Sequence, residues 1–110
     1  MRFIKPENLD KNSIILDVRN NTQYIKEHLA LPHIPIEAKD IKPKEFMQKY
    51  NPNGEKTINI LCTYGGLSSE VAQKFEEEGF DNIAVIIGGI VEAENEGIEI
   101  IKSSSQQLPN

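Results

Sequence analysis

A chain of 110 residues, 38% of them apolar and 26% charged, fits one compact domain with a modest core. Its net charge of −5 argues against binding by general attraction to phosphate backbones, so nucleic acid is not an expected partner, and no apolar run reaches the length of a membrane span. The one cysteine makes no internal disulfide, and MRFIKPENLD lacks the basic start and apolar stretch of a signal peptide, so the expected location is cytoplasmic.

In chain order, Phe3-Ile4 reads as an edge strand and Ile14-Ile15-Leu16 as a buried one, β-branched and too short for a helix. Asp17-Val18-Arg19 stand at its carboxyl end. Asn20 or Asn21 caps a short helix through Glu27, and His33 to Ile36 gives another short strand. Lys44 to Tyr50 places Phe46, Met47 and Tyr50 at helical spacing, and Asn51-Pro52-Asn53-Gly54 ends that helix. Ile58 to Leu61 is a buried strand that delivers Cys62 into a glycine-bearing loop. A helix from about Ser68 to Glu78 follows, with Val71, Ala72 and Phe75 on one face and Gly79 as its stop. Ile83 to Ile87 is the last strong strand, Gly88-Gly89 a tight turn, and Gly89 to Glu96 a helix before a short apolar piece. Residues 1–102 are expected to form one domain and 103–110 a disordered tail. Strands alternating with helices predict an α/β fold: a small, mainly parallel central sheet of about five strands, flanked by helices on both faces.

Ligands of such sheets bind beyond the carboxyl ends of the strands, where both Asp17-Val18-Arg19 and Cys62 fall. Gly65 and Gly66 permit a tight curl between Cys62 and the helix near Ser68, leaving backbone N–H groups uncovered. A curled loop that opens a helix aims several donors and the positive end of the helix dipole at one spot, where a sulfur anion is stabilised. Cys62 is therefore read as a nucleophile rather than a small core residue. Two histidines and one cysteine without ligand spacing argue against a metal site. Asp17 at a buried strand end needs a partner, with Arg19 the nearest. Tyr64 and Leu67 fall where a pocket mouth should be. Leu67 also lies four residues before Val71 and eight before Phe75, which favours the core for it.

Taken together, these segments resemble the rhodanese-like sulfurtransferases. Ile15-Leu16-Asp17-Val18-Arg19 is similar to that family's strand ending in Asp-Val-Arg, and Tyr24 through Glu27-His28-Leu29 to its helix leading into Gly-His-Ile. Cys62-Thr63-Tyr64-Gly65-Gly66-Leu67-Ser68 resembles the active-site loop Cys-x-x-Gly-x-Arg-Ser. Gly79-Phe80-Asp81-Asn82-Ile83 and Gly88-Gly89-Ile90 resemble the segments that follow it, in order and without a gap from Cys62 to Gly97. The sequence departs at Leu67, where the family has an arginine, and at Ala93, where a tryptophan is common.

The resemblance implies a sulfurtransferase working through a Cys62 persulfide, with Thr63, Tyr64, Gly65, Gly66, Leu67 and Ser68 as the substrate-binding loop. Asp17 and Arg19 would support it, and no cofactor would be needed. The implied partners are a small sulfur donor and a thiol or protein acceptor. Hydroxyls of Thr63, Ser68 and Ser69 are expected to add hydrogen bonds, and His28 to lock the turn after its helix. The missing arginine and tryptophan leave a noncatalytic binding module as the alternative. A phosphatase-like reading would need one more loop residue and an arginine to clamp a tetrahedral anion.

Overall fold

The β-branched runs pair as the sequence predicts, and the computed structural model describes residues 1–103. In order they are β1 (Arg2–Ile4), β2 (Ile14–Asp17), α1 (Asn21–Lys26), β3 (Glu27–Leu29), β4 (Ile34–Pro35), α2 (Pro43–Tyr50), β5 (Ile58–Leu61), α3 (Gly66–Glu77), β6 (Ile83–Ile86), α4 (Gly89–Asn95) and β7 (Ile100–Lys102). Five strands form a parallel sheet in the order β1-β6-β5-β2-β4. Every residue of β5 and β6 is buried, which explains their almost wholly apolar composition: a strand covered on both faces has no solvent side to mark with polar residues, and the one exception, Asn59, donates through its side chain to the Ile14 carbonyl at 3.0 Å.

Alternate side chains serve two cores. Leu16, Ile58, Ile60, Ile83 and Val85 meet Phe46 and Met47 of α2 and Val71, Ala72 and Phe75 of α3. Phe75 is fully buried and stands edge-on to Phe46, their ring centroids 5.7 Å apart. On the opposite face Ile15, Leu61 and Ile86 pack with Leu9, Leu29, Ile90 and Ala93. Ala93 is completely enclosed, so the position where the family commonly carries tryptophan is here a core position of α4.

Element boundaries differ from expectation in places. The helix predicted from Ser68 starts two residues earlier, because Gly65 takes a φ of 113° and turns the chain directly into α3. The helix predicted through Glu27 ends at Lys26, and Glu27–Leu29 is a strand instead. Its partner is the short apolar piece near residue 100: β3 and β7 pair antiparallel, with His28 opposite Ile101. The main-chain N–H of Ser103 donates to the carbonyl of Lys26, prolonging that ladder. From residue 104 onward the expected tail lies outside the described residues.

Candidate active site

Cys62 follows directly on β5, at the carboxyl edge of the sheet, and is 3% exposed. Two main-chain donors meet at its sulfur: the N–H of Gly65 at 3.0 Å and the N–H of Ser68 at 3.3 Å. Both come from the curl that opens α3, so the donors and the positive end of that helix are aimed at one atom. Only a residue free to adopt positive φ gives this curl at Gly65. The arrangement suits a sulfur that carries negative charge, whether the thiolate or a sulfur attached to it.

The loop hydroxyls divide differently from expectation. The Ser69 hydroxyl donates to the Gly65 carbonyl at 3.1 Å, and that of Thr63 lies 3.5 Å from Gln23 Oε1, so neither is committed to the sulfur. The Ser68 hydroxyl is fully buried and has no hydrogen-bond partner among the described residues. Tyr64 is 75% exposed. Leu67 is 38% exposed, which overturns the core reading for it: in the first turn of α3, its side chain stands beyond the covered part of the Val71–Phe75 stripe. The loop thus presents apolar side chains to solvent where the family's arginine would stand.

A second strand-to-helix turn supports the first. The N–H groups of Ile90 and Val91 donate to the carbonyls of Cys62 at 2.8 Å and Thr63 at 3.3 Å, so α4 begins against the cysteine loop. Gly89 makes this contact possible: a Cβ there would stand 2.3 Å from the Thr63 oxygen and 2.4 Å from that of Cys62, at a φ of +63°. Gly88-Gly89 reads in the sequence as a tight turn and part of the family resemblance; its role in holding the loop depends on two segments meeting in space. We expect Gly89→Ala to lower stability by about 2–3 kcal/mol in urea unfolding, because backbone must move and the residue is strained. A variant as stable as the wild type would mean the two turns are not rigidly joined.

Asp17 and Arg19 form a buried pair. Arg19 Nε and Nη2 reach the two carboxylate oxygens at 3.0 and 2.9 Å, the Arg19 N–H adds 3.1 Å, and Nη2 also donates to the Glu27 carbonyl at 2.7 Å. Arg19 therefore ties β2 to β3 across α1 and is not free to meet a substrate at the loop. A cavity of about 290 Å³ flanks Thr63, lined by Arg19, Gln23, Lys26, Glu27 and Ile90.

Both histidines are held in this neighbourhood. His28 Nδ1 donates to the Tyr24 carbonyl at 3.0 Å and its ring stacks on Tyr24, which ties β3 to α1; the expected turn at this point is the strand itself. His33 Nδ1 donates to the Leu31 carbonyl at 2.7 Å, so its Nε2 accepts from the Tyr24 hydroxyl, also at 2.7 Å. Burial pushes the Tyr24 phenol above its ordinary 10.0; the Asp17 carboxylate adds to that rise and the Arg19 guanidinium opposes it. Tyr24 thus stays a neutral donor to His33.

With this geometry in place, residues 6–96 match the model of the rhodanese-like domain. The chain belongs to the rhodanese-like domain family. Thiosulfate sulfurtransferase GlpE of Coxiella burnetii is 32% identical over 80 residues, which cover 72% of this chain and 69% of the relative. The crystal structure of a rhodanese-like domain protein from Staphylococcus aureus superposes with a TM-score of 0.65 at 25% identity, covering 94% of this chain and all of the other. A thiosulfate sulfurtransferase from Pseudomonas aeruginosa shares the fold, with a TM-score of 0.78 at 18% identity; the match covers 94% of this chain and 20% of that longer one. For this rhodanese-like domain a sulfurtransferase-type activity is therefore supported at the level of the family.

Proposed function

We propose that the protein transfers sulfane sulfur through a persulfide on Cys62. The observation that carries this reading is the convergence of the Gly65 and Ser68 amides on a lone cysteine sulfur at the start of α3. In the first step the Cys62 thiolate attacks the outer sulfur of thiosulfate or of an organic persulfide. An S–S bond to Cys62 forms, and the bond to the inner sulfur breaks with its electron pair leaving on sulfite or on a thiolate. In the second step an acceptor thiolate takes the outer sulfur, and Cys62 departs as thiolate. The amides steady the anion in both directions without reorganising, and the unpaired Ser68 hydroxyl is a candidate donor to the added sulfur. No residue of this scheme calls for a cofactor. The small sulfur donor and the thiol or protein acceptor are proposed partners, and the cytoplasm is the proposed compartment.

Intact mass measurement after incubation with thiosulfate or a persulfide tests the proposal: one added sulfur atom is expected on the wild type. If no donor adds sulfur, the domain is a noncatalytic binding module, a reading that the replacement of the family's loop arginine by Leu67 would favour.

Leu67→Arg should restore what the loop lacks. Leu67 is partly exposed, so a stability loss below about 1 kcal/mol is expected. A guanidinium beside the amides would hydrogen-bond the oxygens of a doubly charged donor, an interaction on the order of 1–3 kcal/mol, so use of thiosulfate should rise about tenfold or more relative to a neutral persulfide. Steady-state rates with both donors, alongside thermal melting, check this; an unchanged donor ratio in a stable variant would mean that position 67 does not face the substrate.

A further inference from the structure

Two connections pack together at Cys62: residues 62–69, and β6 with its turn into α4 at residues 83–91. Neither contains a charged residue, and the first charges after them are both acidic, Glu70 and Glu92. Each turn instead exposes large apolar side chains: Tyr64 and Leu67 from the first, Ile87 at 43% and Val91 at 36% exposure from the second. These belong to one edge. The Val91 N–H bonds the Thr63 carbonyl, and a Cβ at Gly65 would lie 3.7 Å from the Gly88 nitrogen, next along the chain from Ile87. The cations that line the cavity on the other side of Thr63 come from outside these turns: Arg19 is consumed by Asp17, and Lys26 shares that lining with Glu27.

We propose that Ile87 and Val91, together with Tyr64 and Leu67, form an apolar collar that selects donors whose sulfane sulfur is carried on an apolar organic group. The proposal rests on sulfur transfer through Cys62. A dianion such as thiosulfate finds no cation among the four collar side chains, whereas an apolar substituent covers side chains that otherwise face water. For an organic thiosulfonate, the Cys62 thiolate attacks the outer sulfur. The Cys62–S bond forms and the bond between outer sulfur and sulfonyl sulfur breaks, its electron pair leaving on the sulfinate.

Benzenethiosulfonate and methanethiosulfonate carry the same single charge and the same reacting atoms, so their rate ratio isolates the organic group. The ratio is measured as the rate of sulfur addition to Cys62 by intact mass, and divided by the same ratio for free cysteine. The wild type is expected to favour the benzene compound by about tenfold. In Ile87→Ser and Val91→Ser, both at exposed positions, that preference should fall several-fold toward the value for free cysteine. A wild-type preference equal to that of free cysteine, or one unchanged in both variants, overturns the collar while leaving sulfur transfer intact. Absence of sulfur addition from every donor overturns both the collar and the transfer reading.

Discussion

A Cys62→Ser variant is expected to fold like the wild type and to transfer no sulfur. The serine oxygen occupies the same buried position and still accepts from the amides of Gly65 and Ser68, so the loop keeps its curl and the stability change should stay within about 1 kcal/mol. What disappears is the only atom that can carry the sulfur: an alcohol at neutral pH does not attack a sulfane sulfur, and its product would lack a persulfide's reactivity. Transfer should drop by at least roughly a thousandfold, to the background of the uncatalysed exchange. Donor consumption and intact mass, measured with circular dichroism on the same sample, separate the outcomes. Residual transfer within tenfold of the wild type from a folded variant would place the chemistry elsewhere.

Removing the carboxylate in Asp17→Ala is expected to cost about 3–5 kcal/mol, the largest stability effect among single substitutions near the site. Arg19 is 4% exposed and Asp17 1%, so the guanidinium left behind has neither its countercharge nor ready access to water. Of its bonds, only the one to the Glu27 carbonyl survives. Because a domain of this size has roughly 5–15 kcal/mol of stability in all, the variant should unfold at a much lower urea concentration. Replacing both members by apolar residues, Asp17→Leu with Arg19→Met, should recover much of the loss, since the penalty comes from the unpaired charge. A loss under about 1 kcal/mol in Asp17→Ala would mean that Arg19 swings out to solvent when released.

The parallel sheet is legible in the sequence because Ile14–Leu16, Ile58–Leu61 and Ile83–Ile87 are β-branched runs long enough to name their own state. The edge strand β1 and the short β4 follow from the same reasoning. The pairing of β3 with β7 is not legible: each has three residues, neither alternates cleanly, and what stabilises them is the other segment, far along the chain. The start of α3 is misplaced for a related reason, since Gly65 caps the helix by its backbone conformation and leaves no side-chain signature. Leu67 shows the limit of periodicity, which records spacing along a helix but not where the neighbouring sheet ends. The cysteine loop was readable because its elements are contiguous; Gly89, Ile87 and Val91 were not, because they reach the loop only through the fold.

The same long-range pairings bear on how the chain reaches this state. β1 is held by β6, with Arg2 opposite Ala84, and β3 by β7, with Leu29 opposite Ile100. Early segments therefore wait for late ones, and loop closure is incurred before most sheet contacts can compensate for it. During synthesis β1 emerges well before β6, the strand it pairs with among the described residues, so its hydrogen-bonding edge stays open until β6 has left the ribosome. Folding should thus run on the millisecond-to-second scale of non-local sheets rather than that of helical bundles, with the cysteine loop completed only once the turn of α4 closes on it.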